Sequence, residues 1–256
     1  MKYVRPFNPD EIEPGETSGW LLAPDEDAGC TIRVRKGGKP KAALVAEPFE
    51  RYALVLKGEA TLHGVSEVSV ARADDVIHIS AHQPADISGT TDTAWIEINA
   101  TTSVAAGVKK GVCRVVRVER SGFKVLEGLA YQSLLSRDSG SDSLRMNFAL
   151  LEPRGGSPDF HIHVFNQIYL LLEGEETVDI GRTRHTPKGY AVVFLPGGVV
   201  HRQFNASDGQ VKIVTLLVPE PQPDAILDFA VTIHNREGEV MTRAQAESAA
   251  RDISRT

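Results

Sequence analysis

Residues 53–62 read ALVLKGEATL and residues 169–178 read YLLLEGEETV, so a shift of 116 residues superposes Leu54, Leu56, Gly58, Glu59 and Thr61 on identical residues. Each copy is an apolar run, a Gly-Glu turn and a returning apolar run, the pattern of a strand, a tight turn and a second strand. Working outward, short Val/Ile/Leu/Phe runs punctuated by Gly, Pro, Asp and Asn recur from about Thr31 to Val218. Turn signals at that rhythm mark a β-sandwich or barrel, and the repeat makes it two barrels in tandem. The expected division is 1–115 for a first barrel, 116–236 for a second and 237–256 for a tail. Thr242 and Gln245 have capping-box spacing ahead of an Ala-rich segment, which predicts a short helix over 244–253.

Composition narrows the function classes. The chain has 256 residues with 41% hydrophobic and 24% charged, ordinary values for a globular protein. A net charge of -6 without a basic cluster argues against a nucleic-acid partner. No window approaches the ~18 apolar residues of a membrane span, and 1–16 has no signal-peptide core, so no membrane partner and a cytoplasmic address are expected. Cys30 and Cys113 are too few and too distant to suggest a disulfide framework or a cysteine-based zinc site.

The chemistry concentrates in the second half. There the sequence runs Gly155-x5-His161-x-His163-x3-Gln167-x6-Gly174, then Gly189-x6-Pro196-x-Gly198-x2-His201-x3-Asn205. Alternate side chains of a strand share a face, so His161, His163 and Gln167 can point into one barrel if a single strand runs regularly through them. His201, following a Pro-Gly-Gly turn, can join them from another strand. Three imidazoles on one side of an ion suit a divalent transition metal. The paired motifs resemble the two signature motifs of the cupin superfamily, with Gln167 standing where most metal-binding members have Glu and one extra residue between Gly189 and Pro196. The resemblance implies an all-β fold of two tandem double-stranded β-helix, or jelly-roll, barrels with a short C-terminal helix. It also implies metal ligands His161, His163, Gln167 and His201. Gln167 has three open readings: a direct ligand, a ligand that leaves when substrate arrives, or a partner for metal-bound water.

The same shift lays the four ligand positions on Val45, Glu47, Arg51 and Ala85, which cannot hold a divalent cation, so one ion per chain is expected. His63, His78 and His82 are then solvent or turn histidines. Alternation places Tyr169 two positions beyond Gln167 and Gln203 two beyond His201, which makes both candidate catalytic hydrogen-bond partners of a substrate. Tyr169 can equally be a core residue with its hydroxyl at the rim. Arg145 and Asn147 sit on the strand before the motif, facing either an anionic substrate group or solvent.

A neutral set of three imidazoles and an amide leaves a divalent ion its full charge, which favours anionic chelating substrates such as enolates and 2-oxo acids. The cofactor expected is one Fe, Mn, Ni or Zn ion. The pattern resembles three-histidine cupins that cleave diketones or flavonols, implying a metal-dependent dioxygenase. A rival resemblance is to ureidoglycine aminohydrolases, tandem-barrel hydrolases with metal only in the second barrel, on the segment Glu50 to Leu62. That family implies Glu, His and Gln at positions 161, 167 and 201, where this chain has His161, Gln167 and His201. A third reading is a non-catalytic cupin that binds or senses a small ligand. A homodimer is expected because sheet edges need cover.

Overall fold

The computed structural model describes residues 2–39, 42–101, 111–126 and 128–231. Four antiparallel sheets form two barrels. In the first, a sheet ordered Cys30–Lys36, Ala94–Ala100, Arg51–Lys57, Val76–Ile79, Cys113–Val116 faces one ordered Val68–Arg72, Glu59–His63, Asp86–Gly89. In the second, a sheet ordered Val4–Pro6, Ala191–Leu195, Asn166–Glu173, Val211–Val218, Arg145–Leu151, Leu129–Leu135, Lys124–Leu126 faces one ordered Thr183–His185, Thr177–Ile180, His201–Phe204, Gly156–Ile162, Phe229–Ala230. The described residues are thus all-β apart from short 3-10 turns, and the expected C-terminal helix lies outside them.

The repeat explains how the barrels meet. Along Asn166–Glu173, Ile168, Leu170 and Leu172 point one way and Tyr169 and Leu171 the other. The first set packs with Leu54 and Leu56 of the first barrel, together with Ile96, Ile98, Phe148, Phe194, Val214 and Leu216, in one core between the barrels. The second set fills the interior of its own barrel. Two of the repeated identities, Leu54/Leu170 and Leu56/Leu172, are therefore pairs of interface residues. Truncating such a buried leucine to alanine typically costs about 2–5 kcal/mol. The shared glycines make the turn: Gly58 at φ 68° and Gly174 at φ 91° adopt the left-handed region that favours glycine.

Two expectations need correction. The N-terminal segment does not stay with the first barrel, because Val4–Pro6 pairs with Ala191–Leu195 in the register Val4↔Val193, Arg5↔Val192, Pro6↔Ala191. It covers what would otherwise be an open edge of the large sheet. The crossing is secured where Phe7 stacks on Tyr190 at 5.5 Å and Arg5 pairs with Glu26. A three-residue strand is too short for alternation to reveal it. His78 is neither in solvent nor in a turn but fully buried in Val76–Ile79, with Nε2 3.1 Å from Glu50. Glu50 also accepts from Tyr52 and from the backbone of Asp142 and Ser143, so this buried network ties a loop of the second barrel to the first.

Candidate metal centre

His161 is the penultimate residue of the strand Gly156–Ile162 and lies opposite His201, the first residue of His201–Phe204. His163 follows immediately, but the strand does not continue to Gln167 as the spacing suggested. The chain turns at Val164 and Phe165, and Gln167 is the second residue of Asn166–Glu173 in the facing sheet. Phe165 drives the crossing by burying its ring against His163, with centroids 4.7 Å apart, while Gly198 N donates to the His163 carbonyl. The candidate ligands thus come from both sheets.

The three imidazoles form a tight triangle with ring centroids 4.4, 4.9 and 4.9 Å apart. One nitrogen from each lies within 4.8 Å of the others, and all three rings are buried. The opposite ring nitrogen of each is committed to a backbone carbonyl: His161 Nδ1 to Asp159 O at 2.8 Å, His163 Nδ1 to Leu227 O at 2.7 Å, His201 Nδ1 to Val199 O at 2.9 Å. A carbonyl only accepts, so in the neutral rings the proton sits on Nδ1 and Nε2 presents a lone pair. Gln167 Oε1 lies 2.8 Å from His163 Nε2 and 3.1 Å from His201 Nε2. Tyr169 donates to the same oxygen at 2.9 Å, which orients the amide with oxygen inward. Four electron-pair donors therefore converge, an arrangement that a cation relieves. The residues fit a divalent metal, with the amide oxygen that Tyr169 orients as a fourth donor.

Electrostatics separate the three histidines. Burial pushes His201 down to about 4, with the charges of His161 and His163 adding to the effect. Burial also lowers His161. For His163 burial acts the same way but is outweighed, chiefly by Asp228, so that its affinity for a proton is raised. Asp228 Oδ1 stands 3.2 Å from His163 Nδ1, on the ring edge facing away from the other histidines' donors. Its carboxyl is held below the usual range by that hydrogen bond and by all three imidazoles.

Asp228 was not found from sequence. It lies past the last long strand in the segment that leads into Phe229–Ala230, and no motif marks it. This segment pairs His161 with Ala230 and Ile162 with Phe229 and supplies the Leu227 carbonyl, so it straps the first histidines into place. The surroundings are therefore not wholly neutral as expected, because a carboxylate behind His163 would offset part of a bound ion's charge.

The two candidate catalytic residues are both engaged within the protein. The Tyr169 hydroxyl is buried on Gln167, and burial, reinforced by Glu176 and Asp228, keeps it protonated. Gln203 donates to Glu176. Glu176 is fully buried with Oε2 unpartnered, and burial raises its carboxyl to about 7 despite the Gln203 bond. Sequence reading passed over Glu176 because the repeat aligns it with Ala60 in an apparently exposed Gly-Glu turn. Beside the centre, a cavity of about 620 Å³ is bordered by Glu26, Asp27, His163, Asn166 and the Pro196–Gly198 turn.

The first barrel carries a different layer of side chains at the equivalent positions. Val45 bridges Ala85 as His161 pairs with His201, so the 116-residue register holds at the ligand positions. At the place of Gln167, the Arg51 guanidinium donates to Val45 O at 2.8 Å, Gln83 O at 3.2 Å and Ala85 O at 3.4 Å. A fixed organic cation thus sits among backbone acceptors where the second barrel gathers nitrogen donors.

No protein-family model matches the sequence, and no curated protein matches it. Solved structures do. A cupin 2 conserved barrel domain protein from Leptotrichia buccalis superposes with a TM-score of 0.61 at 16% identity, covering 85% of this chain and 98% of that one. The fold is the cupin fold, present twice. A variant of the salicylate 1,2-dioxygenase from Pseudoaminobacter salicylatoxidans, in complex with gentisate, gives a TM-score of 0.66 at 13% identity over 82% of this chain and 77% of that one. Oxalate decarboxylase from Bacillus subtilis, studied for its Mn(II) centres, gives 0.65 at 11% identity over 89% and 79%. This chain shares architecture with those proteins, and such identities carry the fold alone.

Two expectations follow from the site. Asp228→Asn should weaken divalent-metal binding by about tenfold or more, as loss of a partner behind a ligating histidine commonly does, measured by competition with a chromogenic chelator. An unchanged affinity would remove Asp228 from the centre. Glu176 retains its proton in the folded state up to about 7, against an ordinary value of 4.5, so stability falls as pH rises through that window. Glu176→Gln should therefore gain stability relative to the wild-type chain between those pH values, by on the order of 1–3 kcal/mol in urea unfolding of metal-free protein. A constant offset across the window would contradict the buried, raised carboxyl.

Proposed function

We propose that this bicupin is a metal-dependent enzyme that acts on a small anionic chelating substrate, with a dioxygenase of the three-histidine type as the specific reading. The observation that carries it is the convergence of three Nε2 lone pairs and the Gln167 amide oxygen, with every Nδ1 committed to a carbonyl. His161, His163 and His201 would hold one Fe, Mn, Ni or Zn ion, with Gln167 as the fourth donor. The bound ion would supply positive charge to a chelating ligand and, if it is redox-active iron, reactivity towards dioxygen.

The chain's own residues set the remaining terms. Backbone carbonyls fix the rings, Tyr169 holds Gln167 in orientation, and Asp228 tempers the charge at His163. All four donors are neutral, so a divalent ion still carries excess positive charge towards an incoming anion. Salicylate, gentisate and oxalate, for which those neighbours are named or with which they are bound, are carboxylates, which agrees with an acidic ligand. A hydrolase of the ureidoglycine aminohydrolase kind is less favoured, because His161, Gln167 and His201 differ from the ligand types it would use. The expected homodimer belongs to this proposal too. Val164, Ile226, Leu227 and Phe229 expose apolar side chains around the last strand, the surface such an assembly would cover.

Gln167→Glu tests the reading by asking two affinities to move in opposite directions. An added carboxylate should hold the metal more tightly. At a few ångströms it should also weaken an anionic chelator by several kcal/mol at an effective dielectric of ~20, so the affinity for a 2-oxo acid should fall at least about tenfold. A chelator affinity that is unchanged or higher with metal bound would remove the physical support for an anionic substrate, and a joint loss of both affinities would mark a damaged barrel and oppose the direct role of Gln167.

A further inference from the structure

Along Arg145–Leu151 the side chains alternate between two environments. Met146 and Phe148 enter the core between the barrels, whereas Ala149 and Leu151 belong to the interior of the second barrel. Arg145 and Asn147 have the parity of Ala149 and Leu151, so they face the same interior as Tyr169. The register fixes their height. Gln167 pairs with Leu217 and Leu217 with Arg145, while Tyr169 pairs with Thr215 and Thr215 with Asn147. Arg145 thus shares the level of Gln167, two strands away, which is roughly 10 Å between backbones.

Both residues carry an unmet hydrogen-bonding group. Arg145 Nε is buried without a partner, and among the described residues no carboxylate pairs with its guanidinium. Asn147 donates to Thr215 Oγ1 at 3.3 Å, and its own Oδ1 is buried without a donor. Arg145 is half-buried, so its terminal guanidinium nitrogens stay open beside the buried Nε. Arg51, the inward arginine of the first barrel, also has a buried Nε without a partner, but its terminal nitrogens are occupied by three carbonyls, whereas those of Arg145 meet none.

We propose that Arg145 is the anchor for a second carboxylate on the ligand, so that the substrate class is a dicarboxylate whose one end chelates the metal and whose other end meets the guanidinium. This rests on the metal-chelation reading above. The planar fork of a guanidinium matches a carboxylate with two parallel hydrogen bonds, and the separation between the Gln167 and Arg145 positions suits a short carbon chain. Asn147 Oδ1 beside it accepts from a ligand hydroxyl or a bound water.

The test uses full-length protein loaded with cobalt(II), whose visible absorption reports ligand binding without turnover. The probes are 2-oxoglutarate and 2-oxovalerate, chains of equal length that differ in the distal carboxylate. The wild-type protein should bind 2-oxoglutarate at least about tenfold more tightly. Arg145→Met should abolish that preference while leaving cobalt affinity and 2-oxovalerate affinity unchanged. Arg145→Lys, which keeps charge and loses the fork, should retain part of it. Equal affinity of the wild-type protein for the two probes, or a preference that survives in Arg145→Met, overturns the anchor alone. Failure of the cobalt-loaded wild-type protein to bind either probe overturns the chelation reading and the anchor with it.

Discussion

Both faces of the strand Asn166–Glu173 are buried, and the rest of the molecule follows from that constraint. Even-numbered side chains from Ile168 to Leu172 must find apolar partners outside their own barrel, and they find them on the equivalent strand of the first barrel through Leu54 and Leu56. Odd-numbered side chains are confined to the barrel interior, where Gln167 meets the histidines and Tyr169 holds Gln167. A slip of one residue would place the amide in the interface and Ile168 in the metal centre, so the packing that joins the barrels also sets the register of the site.

The two barrels share this frame and diverge at one layer of side chains. The bridge between Val45 and Ala85 stands where His161 meets His201, and Arg51 stands where Gln167 stands. In one barrel the polar layer is completed within the chain by a guanidinium among carbonyls. In the other it is left as a ring of lone pairs facing one another, with Asp228 reaching in from the last strap of chain. Only the second arrangement has a use for an exchangeable cation.

Much of this was legible in the sequence because it was written in repeats and short spacings. The 116-residue shift located the hairpin that both barrels repeat, and the spacing of His161, His163 and His201 brought together three residues that the fold does place in a triangle. What escaped was set by tertiary pairing. The strand Val4–Pro6 is recognisable only once its partner Ala191–Leu195 is known to lack a neighbour, and His78 looked polar and exposed until Glu50 supplied its partner. Gln167 was assigned to the strand of the histidines since period-two spacing cannot show that the chain turns at Phe165. Asp228 and Glu176 had no local signal, because each matters through a residue distant in sequence, His163 or Gln203.

On the proposed reading the second barrel holds an exchangeable divalent ion and the first does not. Elemental analysis of protein dialysed against a buffered divalent metal tests it most directly, with wild-type protein, His201→Ala and Arg51→Ala measured side by side. The account predicts one ion per chain in wild-type protein and in Arg51→Ala, and loss of that ion in His201→Ala. Two ions per wild-type chain, or one that persists in His201→Ala, would contradict it.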